Sequence, residues 1–173
     1  MRNLNVLLLL AFLALCSFKA KATLPADKKA TKETVRLFQS LYELKNKGIM
    51  YGHQDDLMYG SKWWYEKDRS DTKDFTGDYP AVAGFELGGI ELGNERSLDS
   101  VSFVEIVEQV KAHYKRGGII TLSWHLNNPL TMQLPDTQSS RNHGTAWDVS
   151  SKEVVASILP GGKNNELFNT WLE

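Results

Sequence analysis

The sequence is poor in cysteine and has no excess of positive charge. Cys16 is the single cysteine among 173 residues, so no disulfide within the chain can stabilise the fold. Lysine and arginine number 20 against 21 aspartates and glutamates. Nucleic acid is therefore not expected as a partner, because binding to phosphates depends on clustered positive charge. Stability must come from a hydrophobic core, and the chain is long enough to form one.

Long apolar runs are scarce as well. The unbroken run from Val6 to Leu15 is too short to span a bilayer. It follows the basic Arg2 and precedes Ala20-Lys21-Ala22, an order typical of a secretory signal peptide. We therefore predict a signal peptide over residues 1–22, a charged leader over residues 23–31, and a periplasmic or secreted mature protein.

The single cysteine offers an alternative to simple cleavage. Cys16 follows the apolar run, where a bacterial lipoprotein carries its acylated cysteine. The residue before such a cysteine is normally small, and Leu15 is not. Cleavage after Ala22 is therefore the preferred prediction, and contact with a membrane is expected only if Cys16 is lipidated.

Metal-binding patterns are missing too. Asp55-Asp56 is an acidic pair, but no histidine pair at ligand spacing and no EF-hand pattern accompanies it. The sequence therefore predicts no metal and no cofactor.

Three short apolar segments are typical of strands. They lie at residues 49–52, 81–85 and 119–124, so their starts are 32 and 38 residues apart. Between the last two, Ser102 and Glu105 form a capping box before an apolar helical stripe. This spacing indicates an α/β fold with a parallel sheet. We predict a partial (β/α)8 TIM barrel comprising about the first three βα units, with a shorter three-layer α/β domain as the alternative.

Further helices are predicted near both ends of the chain. Apolar residues at helical spacing start at Val35 and stop at Gly48. A second capping box, Ser150 with Glu153, predicts a short helix that ends at Pro160. Another apolar stripe begins at Leu167 and is not capped before Glu173, so we expect the chain to be the amino-terminal portion of a longer protein.

Aromatic, amide, imidazole and carboxylate side chains follow the predicted strands. Such mixtures suit sugars, because pyranose C–H faces stack on aromatic rings while hydroxyls need directional donors and acceptors. Trp63, Trp64 and Tyr65 have packing of a loop as an equal alternative. We expect Trp124, next to His125, to pack in the core, because alternate strand residues face opposite ways.

Glu86 and Glu91 are not expected to form a catalytic pair. A retaining pair needs carboxyl groups about 5 to 5.5 Å apart. Two acids on one segment after a strand usually point away from each other.

Three motifs together carry a family resemblance: Tyr51-Gly52-His53-Gln54, the stretch from Gly77 to Leu87, and Gly117 to His125 with Asn128-Pro129. In order and spacing they resemble glycoside hydrolase family 26, the endo-β-1,4-mannanase family, over residues 32–173. The resemblance implies a (β/α)8 catalytic domain that cleaves β-1,4-mannosidic bonds in mannans with retention. The partner implied is β-mannan or a manno-oligosaccharide.

The resemblance also assigns roles to residues. His125, in the Ser-Trp-His motif, and Trp147 are the implied substrate contacts, while His53 and Asn128 are weaker candidates for positions behind those contacts. The family's acid/base glutamate ends the fourth strand and its nucleophile lies near the end of the seventh. We therefore expect both catalytic residues beyond Glu173, none within this chain, and no activity from the chain alone.

Two alternatives remain open from the sequence. One is a non-catalytic mannan- or glucan-binding module, which needs the aromatic residues but no acid pair. The other is a family member that acts on a different β-glycan.

Overall fold

The computed structural model describes residues 24–133 and 142–173. The predicted signal peptide and Cys16 lie outside these residues. Within them, no helix is long and apolar enough to cross a membrane. The chain divides into two compact units, residues 1–49 and residues 50–173.

The first unit contains one described helix. Helix α1 spans Lys32–Leu44, with Thr31 as its N-cap, and the Thr31 hydroxyl accepts a hydrogen bond from the Thr34 N–H. The helix ends four residues before Gly48, where the sequence predicted its stop. Phe38 and Tyr42 lie one turn apart, and their rings contact at 5.0 Å between centroids.

The second unit is built from five strands and four helices, listed here in chain order. They are β1 (Gly52–Gln54), β2 (Tyr59–Gly60), β3 (Trp63–Trp64), α2 (Asp71–Thr76), β4 (Val82–Glu86), a 3-10 turn (Ile90–Leu92), α3 (Phe103–Lys115), β5 (Ile119–Ser123), α4 (Val154–Ile158) and α5 (Asn165–Leu172). Strands β1, β4 and β5 form a sheet in that order, and both pairings are parallel. The predicted α/β fold with a parallel sheet is therefore confirmed.

The later two strand predictions are accurate to one residue, but the first is wrong. Strand β1 begins at Gly52, whereas Ile49, predicted to be in it, is fully exposed. Pairing starts where the Val82 N–H donates to the Tyr51 carbonyl, at 3.2 Å, and Gly52 faces Val82. The strand residues Gly-His-Gln have low strand propensity, so the neighbouring apolar run gave a false signal.

A hairpin and a short helix were not predicted. Strands β2 and β3 pair antiparallel, with Tyr59 opposite Trp64. Helix α2 begins after Ser70, whose hydroxyl accepts from the Lys73 N–H, and ends at Gly77 with φ of 86°. Both elements are too short for hydrophobic periodicity to reveal them.

Both predicted capping boxes fail in detail. Ser102 is the N-cap of α3, but its side chain makes no capping hydrogen bond. Helix α4 begins at Val154 with Glu153 as its N-cap. The Ser150 hydroxyl instead donates to the Asp148 carboxylate, at 2.6 Å.

The hydrophobic core lies on one side of the carboxyl half of the sheet. It consists of Leu57 and Met58 after β1, Ala83 and Phe85 of β4, Val101 before α3, and Ile106 within α3. Because three of these segments adjoin the carboxyl ends of strands, the core fixes the positions of the loops that follow those strands.

Helix α3 also buries a histidine against the start of β5. His113 is 1% exposed, and neither ring nitrogen has a hydrogen-bond partner. Burial, followed by the positive charge of Arg116, lowers the pKa of His113. A Cβ atom added at Gly118 would lie 2.0 Å from its Nε2.

We expect Gly118→Ala to destabilise the fold by about 1 to 3 kcal/mol, because the added methyl group overpacks a buried ring. Chemical denaturation followed by circular dichroism measures this. Gly48→Ala is the control, since a Cβ there meets nothing within 4 Å. Equal stability of the two variants would contradict the close packing of His113.

Candidate functional site

A cleft of about 300 Å³ opens at the carboxyl ends of the three parallel strands. Gln54, Glu86 and Ser123 are the last residues of β1, β4 and β5, and all three line it. The loops that follow contribute the remaining lining residues: Asp55, Tyr59, Leu98, Asp99, His125 and Trp147. Parallel α/β proteins place their sites at this end of the sheet.

Glu86 is the best-connected side chain of the cleft. It is 2% exposed, and its Oε2 accepts hydrogen bonds from the Ser123 hydroxyl and from His125 Nδ1, both at 2.7 Å. Its Oε1 accepts from the backbone N–H groups of Gly88, at 2.6 Å, and His125, at 3.1 Å. Burial alone would raise the pKa of Glu86, but these hydrogen bonds outweigh it and lower the pKa. The group is therefore an ionised acceptor.

This contact fixes the orientation and tautomer of His125. An ionised carboxylate only accepts hydrogen bonds, so His125 Nδ1 must carry a proton. In the neutral ring, Nε2 is then an acceptor available to a ligand. The side chain remains 56% exposed.

Trp147 lies beside His125, as the sequence predicted for the two substrate contacts. The rings are 6.1 Å apart between centroids and inclined by only 19°. Trp147 is 62% exposed, so most of the indole can meet a ligand. The structure brings the two residues together in one cleft, while their role as substrate contacts stays a prediction.

Asn128 lies behind Trp147 and ties its loop to the end of β5. It is 4% exposed, and its amide donates to the Asp148 carbonyl, at 2.9 Å, and to the Ser151 hydroxyl, at 3.3 Å. Its Oδ1 accepts from the Leu130 N–H. The predicted position behind the contacts agrees with this placement.

Asp148 organises the same loop. Its carboxylate accepts from the hydroxyl groups of Ser150 and Thr131 and from the Gly144 N–H, and these bonds lower its pKa. The residue next to Trp147 is thus held by several donors.

His53 is not part of the cleft. Its Nδ1 donates to the Gln54 carbonyl, at 2.8 Å, and lies 3.9 Å from Asp56 Oδ1. The ring is exposed and is absent from the lining residues.

Glu91 holds the segment after β5 at a second point. Its Oε2 accepts from Trp124 Nε1, at 3.0 Å, and its Oε1 from both the backbone N–H and the side-chain amide of Asn127. Trp124 is therefore only half-buried, with its indole N–H directed at a carboxylate. Because Glu86 and Glu91 are both occupied in fixing structure, neither is placed as a catalytic acid.

Sequence reasoning missed Asp55 as part of the site. Asp55 is 2% exposed at φ of 54° and accepts hydrogen bonds from the Gln54 side chain and the Glu86 N–H. Burial, partly opposed by those hydrogen bonds, raises the pKa of Asp55 to about 6. Only its left-handed backbone places the carboxyl here, and nothing in the sequence signals that conformation.

Among residues 24–133 and 142–173, no group of three or more metal-ligating side chains comes together.

A cleft of this composition at the carboxyl edge of a parallel sheet is typical of α/β-barrel enzymes. The model of glycosyl hydrolase family 26 matches residues 26–172. The chain therefore belongs to glycosyl hydrolase family 26, and the resemblance read from its motifs is confirmed.

Individual relatives agree. A mannan endo-1,4-beta-mannosidase from Bifidobacterium adolescentis is 30% identical over 86% of this chain and 14% of its own length. A GH26 beta-mannanase from Bacteroides ovatus has a TM-score of 0.72 and 44% identity, over 82% of this chain and 38% of its own. A Cellulomonas fimi endo-beta-1,4-mannanase double mutant has a TM-score of 0.68 and 26% identity, over 88% and 32%. The chain spans less than two fifths of each.

We expect Glu86→Gln to switch the tautomer of His125. Two backbone N–H groups hold the Oε1 position, so the amide NH2 of the glutamine must face His125 Nδ1. A donor there requires Nδ1 to accept, which moves the ring proton to Nε2. Long-range 1H–15N NMR at about pH 9, where ordinary imidazoles are neutral, reports the tautomer.

His53 is the internal control for that spectrum. Its Nδ1 contacts a backbone carbonyl, so its tautomer should stay the same in both proteins. A His125 ring that keeps its proton on Nδ1 in the variant would show that Glu86 does not set the tautomer.

Proposed function

We propose that this protein acts in the retaining hydrolysis of β-1,4-mannosidic bonds in mannans, with its three parallel strands forming part of a (β/α)8 barrel. The observation that carries the proposal is the pair His125 and Trp147, held beside each other at the strand ends by Glu86 and Asn128. Family membership and the three mannanase relatives support the substrate class.

The pair suits a mannose unit chemically. The exposed indole of Trp147 offers an apolar face to the sugar C–H groups, and His125 Nε2 offers a directional contact to a hydroxyl. Because Glu86 fixes the imidazole before a ligand arrives, binding costs little side-chain entropy at this position. The cleft thus acts as a preorganised sugar contact.

Hydrolysis needs two further groups. One carboxylic acid must protonate the leaving oxygen while a second carboxylate attacks the anomeric carbon. Among the described acids of the cleft, Glu86 accepts four hydrogen bonds and Asp55 accepts two. We therefore propose that both catalytic glutamates are supplied by other residues of the barrel and that these 173 residues bind mannan without cleaving it.

We expect the 173-residue chain to bind mannohexaose and to release no reducing sugar from mannan. His125→Ala and Trp147→Ala should each weaken binding about 5- to 10-fold, on the scale of one lost aromatic or hydrogen-bonded contact. Isothermal titration calorimetry measures the affinity. Tyr114→Ala is the control, since this ring on α3 is 72% exposed and lies outside the cleft. Release of sugar by the chain, or unchanged affinity in both cleft variants, would contradict the proposal.

A non-catalytic mannan-binding module is the second candidate, favoured by the exposed aromatic surface and by the engaged carboxylates. A chimera separates the two functions. Residues 26–172 would replace the aligned part of the Bacteroides ovatus β-mannanase. Hydrolysis of mannan by the chimera, abolished or strongly reduced by His125→Ala, supports the barrel role; binding without hydrolysis supports the module.

We also propose that the protein is exported, from the order of charge, apolar run and Ala20-Lys21-Ala22 at its start. Mass spectrometry of the protein purified from its host should give a mature chain that begins at Thr23. A chain that begins at a lipid-modified Cys16 would show the lipoprotein alternative instead. Recovery of the intact chain from the cytoplasm would contradict export.

A further inference from the structure

The hairpin of β2 and β3 carries a second aromatic surface next to the cleft. Tyr59 lines the cleft, and Trp64 lies opposite it in the hairpin register. The two rings stack with centroids 5.0 Å apart and planes inclined by 8°. Trp64 is 53% exposed. One face of its indole is therefore covered by Tyr59, and the surface of the cleft continues outward onto Trp64.

The hairpin is anchored independently of Trp64. Adjacent strand residues face opposite ways, so Trp63 points inward and is 6% exposed. Its Nε1 donates to Asp71 Oδ1, at 2.6 Å, and the Ser61 N–H donates to Asp71 Oδ2, at 2.7 Å. Arg69 covers the Trp63 ring at 5.1 Å. The contacts that fix the hairpin thus belong to Trp63, and Trp64 needs no exposure to serve them.

An exposed indole at this position has an energetic cost. A tryptophan buries a large apolar area when packed, and leaving half of it in water forgoes part of that stabilisation. A rigid, half-covered indole continuous with a sugar-binding cleft is what a further pyranose ring needs for stacking.

We propose that Trp64, backed by Tyr59, is an additional sugar-binding position that stacks a unit of the β-mannan chain beyond those contacted by His125 and Trp147. This inference rests on the proposed function, since it assumes that the cleft holds a manno-oligosaccharide. It gives the hairpin a role in selecting long substrates over short ones.

The test compares the affinities of the full chain for a series from mannobiose to mannohexaose. Trp64→Ala should weaken binding of mannohexaose about 5- to 10-fold and leave mannobiose within twofold of the unchanged protein. Trp147→Ala should weaken both. Phe75→Ala is the matched control, because this aromatic ring on α2 is 92% exposed and lies outside the cleft.

Trp64→Phe guards against loss of the hairpin, since phenylalanine can keep the stack on Tyr59. It should retain most of the affinity for mannohexaose. In the unsubstituted protein, the indole N–H resonance of Trp64 should shift on addition of mannohexaose and not of mannobiose.

The outcomes distinguish this inference from the proposed function. If the unsubstituted chain binds no manno-oligosaccharide, the proposed function fails. If it binds them and Trp64→Ala leaves the dependence on length unchanged, or weakens mannobiose and mannohexaose equally, the additional position is overturned.

Discussion

The hydrogen bonding of the Glu86 carboxylate is the constraint on which the rest of the site depends. Glu86 ends the central strand of the sheet, and its donors come from the residue that ends β5, from His125 beyond it, and from its own following turn. A buried carboxylate without such partners is strongly unfavourable. The ends of β4 and β5 can therefore separate only by leaving this charge unsatisfied, which fixes where the chain leaves the sheet and where His125 lies.

The same principle extends along the segment after β5. From Trp124 to Ser151 the described chain has little regular structure, yet three carboxylates, Glu86, Glu91 and Asp148, hold it at successive points. Asn128 joins the two halves of this segment through the Asp148 carbonyl. Hydrogen bonds impose direction as well as proximity, so they can set the angle of the Trp147 ring more exactly than apolar packing. A cleft that must recognise the orientation of sugar hydroxyls benefits from walls built in this way.

The sequence revealed the parts of the fold that depend on apolar pattern. Strands β4 and β5 and helix α3 were located within a residue or two because their side chains pack against the core formed by Phe85 and Ile106. The strand-end position of His125 followed from the same pattern. Strand β1 was misplaced because its pairing is set by a glycine against Val82, which carries no apolar signal.

The polar partners were beyond reach for a different reason. Ser150 was expected to cap a helix and instead donates to Asp148, and Glu86 was judged only as a catalytic candidate. Short polar side chains satisfy whichever neighbour the tertiary fold brings near, so local patterns do not fix their partners. His53 illustrates the converse: its strand-end position looked functional, yet its ring bonds to the adjacent backbone carbonyl.

The adjacent tryptophans of the hairpin divide two tasks between neighbouring residues. Trp63 holds the hairpin to Asp71, while Trp64 faces water. Because the two side chains share a backbone but not a set of contacts, selection can exchange the outer residue without first repairing the fold. Divergence among related chains should therefore be tolerated at residue 64 far more readily than at residue 63, which makes this hairpin a place where substrate preference can evolve at small cost to folding.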